Sequence, residues 1–161
     1  MALFRATENG VKAKFAPDDA QTLASLATEV AALLAGREEY AGDPALDRLL
    51  PSAYRHNDED AAEFRRFTEQ ELCDDKVASA VSMARTLSAS PVDGAVRVQL
   101  DTPTAISWLR SLTDIRLVLA IRIGIDDEGK PPRLADRDQF MFAVYNWLGA
   151  MQWTLVKAVD R

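Results

Sequence analysis

One cysteine, one histidine and a large set of carboxylates are the side chains of this 161-residue sequence with obvious chemical potential. Cys73 stands in Glu71-Leu72-Cys73-Asp74-Asp75. The thiolate is the reactive form, and flanking acids disfavour it, so the sequence predicts an unactivated thiol. Lys76 follows on the same helical side and offsets the acids in part. A single cysteine excludes an intramolecular disulfide and any zinc cage built from cysteines. His56 lies in Arg55-His56-Asn57-Asp58, a polar turn ahead of a helix, and reads as a solvated histidine rather than a base or a ligand. Asp58, Glu59, Asp60 and Glu63 fall in a helical first turn, where the helix dipole accounts for them. No Gly-rich phosphate loop, dinucleotide fingerprint, Gly-x-Ser-x-Gly elbow or His-Glu-x-x-His is present. No catalytic residue, cofactor or metal ligand is expected.

The most informative polar group lies between Trp108 and Arg122. On a helix, Arg110, Ser111, Asp114 and Arg122 share a polar side, while Arg116 falls among Leu109, Leu112 and Ile123. A buried guanidinium needs acceptors for its five donors. The sequence therefore predicts a largely buried Arg116 paired with a carboxylate, the acidic third helix being the expected source, or with backbone carbonyls at a helix end. Arg110 is expected on the exposed side. Arg110, Asp114, Arg116 and Arg122 are the candidate interaction or structural cluster, and Cys73 is the candidate redox thiol.

These groups must be positioned by helices. Leu3–Thr7 and Val11–Phe15 flank Glu8-Asn9-Gly10, and Asn-Gly is a strong hairpin signal. Pro17, with Asp18 and Asp19, opens a helix that Gly36 ends. Asp43-Pro44 caps and opens a short helix that ends at Pro51. Asn57 caps a third, from Asp58 to about Ala89, with Phe64, Phe67, Leu72, Val77, Val81, Ala84 and Leu87 as its apolar stripe. Val96, Val98 and Leu100 alternate with Arg97 and Gln99 as a strand that joins the hairpin. Thr102-Pro103 starts the fourth helix, whose buried side runs from Ile106 to Ile123. A polar loop over 126–138 precedes the fifth, which starts near Gln139 and carries Phe140, Val144, Trp147, Leu148, Met151, Leu155 and Val159. Its second apolar set, Phe142, Tyr145 and Trp153, predicts central burial or an interface. The expected fold is α+β and mainly α: about five helices on a small antiparallel sheet, formed by an N-terminal hairpin plus a strand near 95–100, in one domain over 1–161.

Net charge is −6, and residues 37–76, with twelve acids and six bases, account for all of it. Such a segment repels phosphate backbones, so autonomous DNA binding is not expected. No targeting or membrane-spanning segment is visible, which predicts a cytoplasmic protein.

The string Asp43-Pro44-Ala45-Leu46-Asp47-Arg48-Leu49-Leu50-Pro51-Ser52-Ala53-Tyr54 is the most specific feature of the chain. With Glu63-Phe64-Arg65-Arg66-Phe67-Thr68, Lys76-Val77-Ala78, Trp108–Leu117, Arg122-Ile123-Gly124-Ile125, Trp147-Leu148-Gly149 and Gln152, it resembles the actinobacterial AosR-like family, formerly a domain of unknown function. The resemblance covers nearly the whole chain. It implies a cytoplasmic, non-enzymatic protein of oxidative-stress transcription whose partner is a sigma factor or RNA polymerase. The family's redox response is attributed to paired cysteines; only Cys73 is present here, so that switch does not carry over. Two other readings stand beside this one: an oligomeric structural or adaptor module that contacts further copies of itself, and an enzyme working through carboxylates.

Overall fold

The computed structural model describes residues 3–50, 59–125 and 136–161. The fold is α+β and mainly helical, as the sequence predicts. Strands β1 (Arg5–Ala6), β2 (Gly10–Phe15) and β3 (Val96–Asp101) form an antiparallel sheet in the order β1-β2-β3. The helices are α1 (Pro17–Ala35), α2 (Pro44–Leu49), α3 (Glu59–Leu87), α4 (Thr102–Ile123) and α5 (Asp136–Val159).

The hairpin turns over Glu8 and Asn9, with the Thr7 amide donating to the Gly10 carbonyl at the start of β2. Gly10, already in β2 and without a positive φ, is required by close approach instead: a Cβ there would strike the Leu100 carbonyl of β3. Val11, Ala13 and Phe15 on β2, with Val96, Val98 and Leu100 on β3, point inward as alternation requires. They meet α4 through Trp108, whose ring stands edge-on to Phe4 at 6.0 Å. Helix α4 is the hub: it packs on α1, α2, α3, α5 and the inner face of the sheet, and α1 runs along α3.

The structure shifts some boundaries and phases. Asp101 caps α4 by accepting from the Thr104 amide, so Thr102 is already helical. Helix α5 is already formed at Asp136, ahead of the Gln139 start that the apolar pattern suggested. Among the described side chains of α3, Cys73, Ala80, Met83 and Leu87 are buried and Phe67 and Leu72 are exposed, while the side chain of Phe64 lies outside those described. Small and flexible side chains at 73, 80 and 83 fit close against α1, and the bulkier Leu72 falls on the flank. Phe140 on α5 and Ile106 on α4 are also exposed; in the first turns of α4 the inward positions are taken by Ala105 and Trp108. His56, Asn57 and residues 126–135 lie outside the described residues. No described helix is long and apolar enough to cross a membrane.

Candidate functional site

The four polar residues singled out on α4 do not converge. They radiate from the hub helix toward different neighbours. Asp114 and Arg116, two residues apart, emerge on opposite flanks of the buried face. Asp114 is buried and turns toward α3, where the Lys76 ammonium donates to its Oδ1 at 2.8 Å. Arg116 turns toward α5. Its Nη1 donates to Gln152 Oε1 at 3.3 Å, and its guanidinium lies 4.3 Å from the Tyr145 ring centre. Arg122, near the end of α4, grips the Asp43 carboxylate with both terminal nitrogens, at 2.9 and 2.8 Å. Arg110 is exposed.

The expectation for Arg116 is thus corrected in its partners. The half-buried guanidinium, with its Nε fully enclosed, meets an amide oxygen and a ring on α5, not a carboxylate of α3 or carbonyls at a helix end. The ion pair between α3 and α4 does exist, with the charges the other way round: the acid sits on α4 and the base on α3. Asp114 and Ser111, placed on the polar side by the sequence reading, are buried. Lys76 carried a signal for this. It shares a helical face with Cys73, Ala80, Met83 and Leu87, so a cation stood on a buried stripe.

Gly149 is part of the Arg116 arrangement. A Cβ at 149 would lie 3.1 Å from Arg116 Nη2, so glycine lets the guanidinium lie flat on the α5 backbone. Arg116 Nε is buried without an acceptor, which limits what the contact contributes. Arg116→Ala should therefore cost roughly 1–2 kcal/mol, one weak hydrogen bond plus one cation–π contact. Arg110→Ala should stay within about 0.5 kcal/mol. Urea denaturation of both variants measures this, and equal effects would mean that the α5 contact contributes nothing.

Cys73 is fully buried between α3 and the end of α1. Its Sγ donates to the Leu34 carbonyl at 3.3 Å and accepts from Arg37 Nη1 at 3.2 Å. Burial raises its pKa; Arg37 opposes this, and Asp74 and Glu69 add to it. Flanking acids do raise the thiol, as expected, but desolvation outweighs them, and the opposing cation is Arg37 rather than Lys76. Burial likewise lifts the Asp114 carboxyl above its ordinary value, against the pull of Lys76. Asp43 moves the other way: Arg122 and the Ala45 amide hold it low. The Asp43–Arg122 tie therefore persists at neutral pH and loosens as pH falls below the ordinary aspartate range.

These contacts join α1 to α3, α3 to α4, α4 to α5, and α4 to the start of α2. Asp114, Arg116, Arg122 and Cys73 thus each face a different neighbouring element. Among the described residues, no group of three His, Cys, Asp or Glu side chains could hold a metal ion.

The family model described as "Domain of unknown function (DUF2017)" matches residues 1–159. The proteins named oxidative stress regulator AosR from Mycobacterium tuberculosis and Mycobacterium bovis are each 31% identical to this chain over 143 residues. The match covers 80% of this chain and 63% of either relative, so the chain spans less than two thirds of their length. No solved structure matches the chain.

Proposed function

Because the chain belongs to the DUF2017 family, we propose that it is a non-enzymatic regulatory protein of the oxidative-stress response, acting in the cytoplasm through protein contacts in transcription. The observation that carries this reading is the match to relatives named oxidative stress regulator. The contacts of Asp114, Arg116 and Arg122 are compatible with it: each ties α4 to another part of the fold. The partner in this reading is a sigma factor or RNA polymerase, which meets the acidic surface through basic residues of its own.

A second reading has an observation of its own. Trp153 and Phe140 on α5 are 61% and 66% exposed, and large exposed aromatics suit an oligomeric adaptor. Affinity capture of the tagged chain from oxidant-treated and untreated cells separates the two. Recovery of a sigma factor or polymerase subunits, changing with oxidant, is the expected result. Recovery of further copies of the chain alone would replace regulation by self-assembly.

A further inference from the structure

The outer face of the sheet is basic in an otherwise acidic molecule. Alternation that sends Val11, Ala13, Phe15, Val96 and Val98 inward sends Lys12, Lys14 and Arg97 outward, with Arg5 beside them on β1. All four are exposed, and none has a salt-bridge partner among the described residues. The register sets like against like: Arg5 pairs with Lys12, and Lys14 pairs with Arg97. Like charges directly opposite one another on a sheet are destabilising, so the arrangement is held against a cost in stability. These residues, with Leu3 and Gln99, line a shallow hollow of about 660 Å³.

We infer that this face is a docking surface for an acidic segment of a partner protein, bound in extended conformation with carboxylates at alternate positions. The spacing fits. Successive outward residues on one strand lie about 6.6–6.8 Å apart, which is the repeat of alternate side chains in another extended chain. Arg5 and Arg97 each offer the planar fork that matches a carboxylate. Two features argue against nucleic acid. The outer face carries no aromatic ring on which a base could stack. The rest of the chain, without these four cations, carries −10, so a polyanion running past the sheet would meet repulsion that a short acidic segment avoids. The inference goes beyond the regulatory reading and rests only on the charge layout of the sheet.

The test uses the purified chain and a fluorescent synthetic peptide with Glu at alternate positions, followed by anisotropy. The expected result is salt-sensitive binding that Lys12→Glu with Arg97→Glu weakens about tenfold or more. The same variant should melt no lower than the parent, because each reversal turns a repulsive cross-strand pair into an attractive one. Lys12→Gln with Arg97→Gln is the companion if the reversed pair perturbs folding, and it should weaken binding in the same direction. Failure of the peptide to bind, or equal binding by parent and variants, would overturn the inference. Tighter binding of a labelled DNA duplex, abolished by the same substitutions, would overturn it in favour of nucleic acid. Loss of concentration-dependent self-association alone, measured by sedimentation, would overturn it in favour of a second copy of the chain.

Discussion

Replacing Lys76 with alanine should lower the free energy of unfolding at neutral pH by on the order of 3 kcal/mol, because it strands a buried carboxylate. The Asp114 side chain is 7% exposed, and Lys76 is the cation bonded to it. The deficit should depend on pH with a definite sign. Burial already holds the Asp114 pKa above the ordinary aspartate value of 3.8, and loss of Lys76 removes the group that pulls it down. A raised folded pKa means that the native state binds the proton more tightly than the unfolded chain. The penalty is therefore full above the folded pKa and shrinks as pH falls through it toward 3.8, where a protonated Asp114 no longer misses its partner. Replacing both residues with apolar ones of similar volume should recover most of the loss, since a buried pair adds little over good packing. Urea titrations of Lys76→Ala at neutral and mildly acid pH provide the measurement. An unchanged midpoint at neutral pH would mean that water reaches Asp114 freely.

Iodoacetamide should modify Cys73 about a hundredfold or more slowly in the folded chain than in urea, since the sulfur becomes accessible only when α3 parts from α1. The rate should also climb with pH later than for an ordinary cysteine, because burial holds the thiol protonated. The hydrogen bond from Sγ to the Leu34 carbonyl requires that protonated form. Fast modification at neutral pH would place the thiolate at the surface and make Cys73 a direct sensor. Slow modification would mean that oxidation of Cys73 requires a prior loosening of the α1–α3 contact.

Local signals carried most of the fold. Asn9-Gly10 marked the hairpin, Asp43-Pro44 the start of α2, and the alternation from Val96 to Leu100 the third strand. Each depends on the intrinsic conformational preferences of a few adjacent residues. The helix phases were less legible where size competes with polarity. On α3, Phe67 and Leu72 are more apolar than Cys73 and Ala80, yet the close approach to α1 selects the smaller residues. The polar ties were legible as positions and not as pairs. Asp114 and Arg116 sit on the two flanks of one buried face, and only the arrangement of α3 and α5 around α4 decides which flank meets a lysine and which meets Gln152 and Tyr145. Nor does sequence separation hint that Asp43, the cap of α2, is also the anchor of Arg122.

The sheet register has a kinetic meaning. Val11 pairs with Leu100 and Phe15 with Val96, so β2 finds β3 only after the chain of α1, α2 and α3 has been gathered between them. Closing a loop of that size is entropically slow, and the two-residue β1 leaves the hairpin little stability of its own. Refolding should accordingly show helical signal before strand pairing, and amides of β3 should gain protection late. The four cations on the outer face are brought into register by this last step. A chain still folding displays its acidic helices but not its basic sheet, so its surface charge pattern changes character only when the fold closes.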